Sequence, residues 1–221
     1  MTPLRLLPDL CADGPTQMAT DEALLGCSGP PTLRLYRWSP AAVSLGYFQA
    51  YPAIAARLRV LPEPPPVVRR ITGGGAIWHD HEVTYCLTGT LGATGLPSRT
   101  ADCYKLLHGG IRTALRQHGA DLALQALTVG DRRYADEPRC FASPATDDLV
   151  AHNGGKTLGS AARTRGNRVL IHGSLKLASN PWDGEAVTGC GLDWDTAAAA
   201  LRAGIAQALG ATLEPDAWND R

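Results

Sequence analysis

Lysine is scarce in this chain of 221 residues. Only Lys105, Lys156 and Lys176 are present, so arginine supplies the other 18 of the 21 basic side chains. The acidic side chains also number 21, which leaves a formal net charge of zero and a pI near 7.0. Without a positive excess, no broad field attracts nucleic acid or an anionic membrane. The composition therefore predicts neither of them as a partner.

Long apolar runs are also missing, although 44% of the residues are hydrophobic, which is ample for a buried core. No run reaches the ~18 residues that a transmembrane helix needs. The first 30 residues contain four acidic side chains and no unbroken apolar segment of the kind found in signal peptides. The six cysteines are therefore interpreted as free thiols rather than a disulfide framework. These absences predict a protein of the reducing cytoplasm.

The first third of the chain contains patterns typical of both helices and strands. Apolar spacing predicts a helix over residues 18–25 that stops at Gly26. Alternating apolar and charged residues predict a strand over 32–38, and a second strand over 42–46 is expected to form an antiparallel hairpin with it. A short helix over 50–60 and an irregular proline-rich connector over 61–66 follow.

The rest of the chain continues the mixture. Strands are expected over 67–71, 77–79, 82–87 and 169–177, with a hairpin that pairs 148–151 with 156–161 around Asn153 and Gly154. Helices are expected over 100–117, with Gly119 beyond it, and over 196–209, capped by Asp195 and closed by Gly210. The composition of residues 131–138 is typical of a polar loop. The sequence predicts a single α+β domain with a mainly antiparallel or mixed sheet flanked by helices.

The most unusual segment is a glycine loop between two predicted strands, Thr72-Gly73-Gly74-Gly75-Ala76, preceded by Arg69-Arg70 and followed by Ile77-Trp78-His79-Asp80. Consecutive glycines lose much conformational entropy on folding, so they are usually kept where a backbone approaches a ligand closely. Such a loop could donate amides to a carbonyl or a phosphate. It matches neither the phosphate loop of nucleotide hydrolases nor a dinucleotide fingerprint. An ordinary tight turn with two surface arginines is the alternative.

Two kinds of reactive side chain stand near small or polar neighbours. Lys156 precedes Gly159, Ser160 and Ala161, which leave room for a ligand beside its ammonium group. Cys140 follows Arg139, whose charge favours the nucleophilic thiolate.

Cys190 is a second candidate nucleophile, because the glycines on either side of it leave its thiol accessible. Cys11, Cys27, Cys86 and Cys103 are interpreted as small buried hydrophobes.

The histidines raise the alternative of a metal site. His79, His81 and His172 could combine with Asp80 and Cys190, but no Cys-x-x-Cys or His-Glu-x-x-His spacing is present. Structural or supporting roles for these histidines are favoured, and no metal is predicted.

Taken in order, several segments resemble the lipoate-protein ligase A, octanoyltransferase and biotin ligase superfamily. The resemblance covers roughly residues 15–180 and implies a catalytic domain of that type over residues 1–221. Biotin ligase proper is excluded because its Gly-Arg-Gly-Arg loop is absent. The segments are Met18-Ala19-Thr20-Asp21-Glu22-Ala23-Leu24, residues 33–40 and 44–49, residues 69–80, Cys140-Phe141, residues 156–161 and His172-Gly173-Ser174-Leu175.

The resemblance leaves two activities open. One is transfer of an octanoyl or lipoyl group, and the other is ATP-dependent lipoate ligation by a small ligase or by the catalytic half of a split one. Only about a dozen residues follow the 196–209 helix, so the accessory domain typical of the ligases is not expected. Cys140 lies 16 residues before Lys156, as in LipM-type octanoyltransferases. The sequence departs from the LipM-type pattern in two places. Gly75 stands where those transferases usually have arginine. Cys190 lies 18 residues after His172, close to where LipB-type octanoyltransferases have their nucleophile.

The transferase interpretation implies that octanoyl passes from the phosphopantetheine thiol of acyl carrier protein to Cys140. It then passes to a lysine of a lipoyl domain, such as glycine cleavage H protein or a dehydrogenase acyltransferase subunit. Lys156 would stabilise the oxyanion and no cofactor is needed, whereas a ligase would require ATP and Mg²⁺. A non-catalytic acyl-binding protein is the third alternative. The residues implied in acyl or substrate binding are Arg70, Thr72, Gly73, Gly74, Gly75, Ala76, His79, Gly159, Ser160, Ala161, His172 and Gly173.

Overall fold

A computed structural model describes residues 2–130, 134 and 136–217. Half of the predicted 131–138 loop, namely residues 131–133 and 135, lies outside this part of the chain. The strands are β1 (Thr2–Leu6), β2 (Leu10–Ala12), β3 (Thr32–Trp38), β4 (Ala42–Leu45), β5 (Val67–Arg69), β6 (Ile77–His79), β7 (Glu82–Thr90), β8 (Ala123–Leu124), β9 (Leu149–Val150), β10 (Lys156–Arg165), β11 (Arg168–Lys176) and β12 (Ala211–Pro215). The helices are α1 (Gly14–Gly26), α2 (Pro52–Leu58), α3 (Thr100–Gln117), α4 (Trp194–Leu209) and a 3-10 turn at Gly184–Ala186.

A nine-stranded mixed sheet forms the centre of the molecule. Its strands follow the order β12-β1-β3-β7-β11-β10-β9-β8, and β2 pairs in parallel with β3. The pairs β3–β7, β7–β11, β11–β10 and β10–β9 are antiparallel, whereas β1 is parallel to both β3 and β12. This architecture confirms the predicted α+β fold with a mixed sheet flanked by helices.

Helices cover both faces of the large sheet. Helices α3 and α4 pack together on one face and bury the main apolar core. Helix α1 lies against the opposite face, where it contacts β3, β7, β10 and β11. Among the described residues, no helix is long and apolar enough to span a lipid bilayer.

A small sheet stands beside helix α1 and corrects one prediction. Strand β4 pairs in parallel with β5 and antiparallel with β6, and α2 packs on this sheet through Ile54 and Leu58. The predicted hairpin between 32–38 and 42–46 is therefore wrong. At the Ser39-Pro40 turn the chain leaves the large sheet. Strand β4 therefore pairs with β5 and β6, which come later in the chain, and not with β3.

Most other element predictions are confirmed, some to the residue. Helix α3 spans 100–117 and strand β3 spans 32–38, as their periodicities predict. The Asn153-Gly154 turn joins β9 and β10, since Lys156 pairs with Val150. The predicted cap of the last helix is wrong by two residues, because Asp193 rather than Asp195 accepts the amide hydrogen of Thr196.

Candidate active site

A cavity of about 350 Å³ opens between the large sheet and the small sheet. One wall is formed by β10 and β11, which contribute Lys156 and His172. The opposite wall is formed by the glycine loop and by Cys140. Aromatic and apolar side chains from α1, β3 and β6 complete it, namely Met18, Tyr36, Trp38 and Ile77.

Backbone pairing fixes Cys140 against the glycine loop. The amide of Cys140 donates to the carbonyl of Ala76 over 2.9 Å, and the amide of Ala76 donates to the carbonyl of Pro138 over 2.7 Å. The next side chain, Phe141, is fully buried and packs with Ile77 and Val187. Cys140 is thus held by its backbone while its half-buried thiol lines the cavity.

Lys156 meets the thiol of Cys140 inside this cavity. The Nζ atom of Lys156 lies 3.7 Å from Cys140 Sγ and 2.7 Å from Asp148 Oδ2. Burial by itself lowers the pKa of Lys156, but the charges of Cys140 and Asp148 outweigh it and the pKa is raised. The lysine is therefore held as a cation, with its ammonium group in contact with the Cys140 thiol.

Arg70 holds the glycine loop in shape. Its Nη2 donates to the carbonyls of Gly73 and Gly75, each over 2.8 Å. Its Nη1 donates to the carbonyl and the hydroxyl of Ser44, and its Nε donates to Thr72 Oγ1. All five guanidinium hydrogens are used on protein atoms. Arg70 is therefore a buried brace of the loop, although it lines the cavity.

His172 supports one side of this brace. Its Nε2 lies 2.6 Å from Thr72 Oγ1, and its Nδ1 lies 2.8 Å from Asp21 Oδ2. Asp21 also pairs with the buried Arg34 at 2.5 Å. Because Asp21 is a carboxylate and only accepts, His172 donates to it through Nδ1.

His79 supports the other side in the same way. Its Nε2 lies 2.7 Å from Ser44 Oγ, and its Nδ1 lies 2.7 Å from Glu82 Oε1. Burial lowers the pKa of His79, although the Glu82 carboxylate opposes the shift. Its ring stacks on Trp38 with 3.9 Å between centroids. A histidine backed by a carboxylate thus fixes each hydroxyl that Arg70 contacts.

The structure brings most predicted site residues to this cavity. Thr72, Gly75 and Ala76 are buried in the layer that supports it. The predicted residues that line the cavity are Cys140, Lys156, Arg70, Gly73, Gly74, His79, Gly159, Ser160, Ala161, His172 and Gly173.

The remaining cysteines lie elsewhere. Cys190 packs against the main core, and burial raises the pKa of its thiol. Cys86 and Cys103 are buried as expected, but Cys11 and Cys27 are exposed, so their prediction as buried hydrophobes is wrong. Cys11 lies in the short strand β2, and Cys27 follows the last residue of α1.

The histidines predicted as alternative metal ligands are spread over different partners. His81 is exposed, whereas His79 and His172 are bonded to Glu82 and Asp21. Within the described ranges, no three His, Cys, Asp or Glu side chains are placed to hold a metal ion.

Sequence reasoning missed the carboxylates that complete the site. Asp148 pairs with Lys156, Asp21 supports His172, and Glu82 supports His79. Helix α1 offered one signal, because Gln17 and Asp21 share its buried face with Met18 and Leu25. A buried acidic residue on an apolar helix face requires a partner. The sequence carried no comparable signal for Asp148 or Glu82.

Comparison with known protein families tests the resemblance that the sequence motifs indicate. The model of the lipoyl protein ligase A/B catalytic domain matches residues 13–190. The chain belongs to the lipoyl protein ligase A/B catalytic domain family. The match contains both halves of the cavity, including Cys140, Lys156 and the glycine loop.

Relatives within the lipoyl protein ligase A/B family include several proteins named octanoyltransferase LipM. The chain is 36% identical to the one from Moorella thermoacetica over 80% of this chain and 66% of that protein. It is 32% identical to the one from Kyrpidia tusciae, over 90% of this chain and 84% of that protein. It is 32% identical to the one from Symbiobacterium thermophilum, over 98% of this chain and 90% of that protein. The chain spans just under two thirds of the Moorella relative's length.

Solved structures of lipoyl protein ligase A/B relatives share the fold. A Thermoplasma acidophilum protein with bound lipoic acid superposes with a TM-score of 0.77 at 20% identity, covering all of this chain and 91% of that one. A lipoate-protein ligase A bound with ATP superposes with a TM-score of 0.75 at 21% identity, covering all of this chain and 90% of that one. At these identities the similarity establishes the fold alone.

Proposed function

We propose that this protein transfers an octanoyl group from acyl carrier protein to a lysine of a lipoyl domain through a thioester on Cys140. The contact between Cys140 Sγ and Lys156 Nζ, inside a cavity of about 350 Å³, carries this proposal. The LipM octanoyltransferases that the chain resembles at 32–36% identity support the same reaction. We propose that residues 1–221 act as a single catalytic domain.

In the first half-reaction, the Cys140 thiolate attacks the carbonyl carbon of the octanoyl thioester. A new C–S bond forms to Cys140, the C–S bond to the carrier breaks, and the carrier thiolate leaves and takes up a proton. The charge of Lys156 stabilises the attacking thiolate and the oxyanion that develops on the carbonyl. One thioester replaces another, so the step needs no external energy source.

In the second half-reaction, the neutral amine of the acceptor lysine attacks the Cys140 thioester. The amide C–N bond forms, the C–S bond to Cys140 breaks, and the amine releases its proton to solvent. The Cys140 thiolate returns to its place beside Lys156. An amide is more stable than a thioester, so this step drives the whole reaction without ATP or Mg²⁺.

Some of the predicted binding residues are proposed to contact the acyl group, and others to support the glycine loop. We propose that Gly73, Gly74 and Ala161, which have little or no side chain, leave the space that the acyl chain and thioester occupy. Gly159 and Gly173 instead make room for Lys156 and for Ser160 and Tyr85.

Arg70, Thr72, Ala76, His79 and His172 are proposed to act by holding the glycine loop, because their polar groups already bond to protein atoms. Gly75 packs tightly behind Cys140, and Ser160 bonds to Tyr85 and His108. The need for a free thiol favours a reducing compartment such as the cytoplasm.

Intact mass spectrometry of the acyl-enzyme tests the assignment of the nucleophile. Incubation with octanoyl acyl carrier protein is expected to add one octanoyl group to the wild type and to Cys190→Ala. Cys140→Ala and Cys140→Ser are expected to show no stable thioester. Loss of the adduct in Cys190→Ala with retention in Cys140→Ala would move the nucleophile to Cys190.

A second assay separates transfer from ligation. The protein is given an apo lipoyl domain with either octanoyl carrier protein or lipoate plus MgATP. We expect modification only with the carrier. Modification that requires MgATP and survives Cys140→Ala would instead establish a lipoate ligase.

A further inference from the structure

Three exposed aromatic residues, Tyr47, Phe48 and Tyr51, form what we call the aromatic rim. Phe48 is 84% exposed, Tyr51 51% and Tyr47 45%. They follow strand β4 directly, and the rings of Tyr47 and Phe48 pack edge to face with centroids 5.0 Å apart. Large apolar side chains kept in water at one place mark an interaction surface more often than scattered single ones do.

The backbone beneath the aromatic rim is held rigidly. Arg69 Nη1 donates to the carbonyls of Gly46, Tyr47 and Gln49 over 2.7–3.1 Å. The side chain of Gln49 accepts from the amide of Gly46 over 3.1 Å and donates to the carbonyl of Pro138 over 2.9 Å. The rings are therefore presented on a fixed frame, which lowers the entropy lost when a partner binds.

The same frame adjoins the nucleophile. The amide of Tyr47 donates to the carbonyl of Thr72 over 2.8 Å. Gly46 packs so closely on Gly74 that a Cβ at Gly46 would lie 1.8 Å from the Gly74 carbonyl oxygen. A Cβ at Gly74 would in turn lie 4.0 Å from Cys140 Sγ. A partner seated on the aromatic rim is thus at the edge of the glycine loop that lines the reactive cavity.

Arginines surround the aromatic rim, although the chain as a whole has no net charge. The guanidinium of Arg163 lies 4.9 Å from the centroid of the Tyr47 ring, two residues along β10 from the cavity residue Ala161. A shallow groove beside the rim is lined by Tyr51, Arg59 and Arg69. Among the described residues, no carboxylate lies within 4 Å of Arg59, Arg69 or Arg163.

We propose that the aromatic rim and Arg163 dock the carrier domain that donates the acyl group through its phosphopantetheine arm. This inference rests on the proposed function. The donor arm contains a phosphodiester anion, which the neighbouring arginines attract. The acceptor approaches with a lysine ammonium, which the same positive charges repel. The apolar rings then supply the contact area for the folded part of the carrier.

Rates of acyl-enzyme formation with two donors test this assignment. The donors are octanoyl carrier protein and octanoyl-N-acetylcysteamine, which lacks both the phosphate and the protein. Phe48→Ser and Arg163→Glu are each expected to slow reaction with the carrier by about tenfold or more, while the small thioester reacts within about twofold of wild type. Arg116→Glu reverses an exposed charge on α3 and should change neither rate.

A third measurement distinguishes donor from acceptor. Acyl-enzyme prepared with the small thioester is discharged by an apo lipoyl domain, and both variants should react at the wild-type rate. Slowed discharge with normal loading would assign the rim to the acceptor and overturn the proposal. Equal losses with both donors would show damage to the cavity and also overturn it. A wild-type enzyme that forms no Cys140 adduct with either donor would instead contradict the proposed function.

Discussion

Lys156 occupies a space that suits a compact ammonium group. A Cβ at Gly159 would lie 2.3 Å from Lys156 Cε and 2.5 Å from its Nζ, so the side chain lies directly on that glycine. Asp148 contacts the ammonium on one side and Cys140 on the other. A planar guanidinium is larger and spreads its donors in a fixed fork. Arginine, the basic residue that this chain uses almost everywhere else, does not reproduce this arrangement.

Lys156→Arg is therefore expected to lower the rate of acyl-enzyme formation by about 10²-fold or more while the protein remains folded. The rate is measured by quenched-flow mass spectrometry and the fold by circular dichroism. Lys105→Arg, at an exposed position on α3, is the matched control and should retain normal transfer. Near-normal transfer by Lys156→Arg would remove the lysine from the mechanism.

The first and third glycines of the loop, Gly73 and Gly75, differ in the space around them. A Cβ at Gly75 would lie 2.7 Å from both the amide nitrogen of Cys140 and the carbonyl oxygen of Pro138. A Cβ at Gly73 would meet nothing within 4 Å. The difference arises because Gly75 packs against the segment that bears the nucleophile.

Gly75→Ala should lower the free energy of unfolding by about 1–3 kcal/mol, since the added methyl forces the Cys140 segment away. Gly73→Ala should change it by less than about 1 kcal/mol. Urea denaturation of the two variants and the wild type measures both effects. A Gly75→Ala variant as stable as Gly73→Ala would contradict the close packing.

At the scale of elements, helices α3 and α4 approach closely at a pair of glycines. A Cβ at Gly204 would lie 2.7 Å from the Gly110 carbonyl oxygen and from Ile111 Cα. Gly109, next in the chain to Gly110, has open space where its Cβ would be. Contact between backbones here lets both helices cover the core of the large sheet.

Alanine substitutions at these positions should have opposite effects. Gly109→Ala is expected to raise the free energy of unfolding by about 0.5–1 kcal/mol, because alanine favours the helix. Gly204→Ala gains the same helix propensity but separates the helices, with a net loss of about 1 kcal/mol or more. Thermal and urea unfolding check the signs. Stabilisation by both substitutions would show that the helices do not meet at Gly204.

At the scale of the whole molecule, buried ion pairs connect the layers. Asp21 of α1 pairs with Arg34 of β3 and with His172 of β11. Burial alone would raise the pKa of Asp21, but Arg34 and His172 outweigh it and hold the pKa below its ordinary value. Glu82 has a lowered pKa for the same reason, with Lys176 as its main opposing charge.

These lowered pKa values determine the sign of the acid response. The ion pairs stabilise the fold fully above the unfolded-state carboxyl pKa of about 4, and this stability is lost as the pH falls toward the folded-state values. Asp21→Asn should lower the free energy of unfolding by about 3 kcal/mol at pH 7 and make its decline below pH of about 4 shallower. Urea titrations across this range measure it.

The exposed Asp195 is the control for this prediction. Its side chain is 89% exposed and lies 3.5 Å from Arg37, so Asp195→Asn should leave both the stability and its pH dependence nearly unchanged. An Asp21→Asn curve parallel to the wild-type curve would show that the buried carboxylate does not account for the acid response.

Local periodicity in the sequence determined much of the fold. Helix α3 and strand β3 begin and end where their apolar spacing predicts. Helix α3 buries one face against the core, whereas β3 is buried on both faces over residues 32–36. The glycine loop, Cys140 and Lys156 were also identifiable, since their neighbours are small or polar residues that a packed core does not require.

Only the tertiary structure decided which of these segments meet. No local signal indicated that β4 leaves β3 for a second sheet, because strand pairing depends on partners that come later in the chain. Asp21 and His172 are 151 residues apart in sequence, yet they share a hydrogen bond once β11 lies beneath α1. The carboxylates complete the site for the same reason: a buried charge finds its partner through packing, and packing is not a property of one segment.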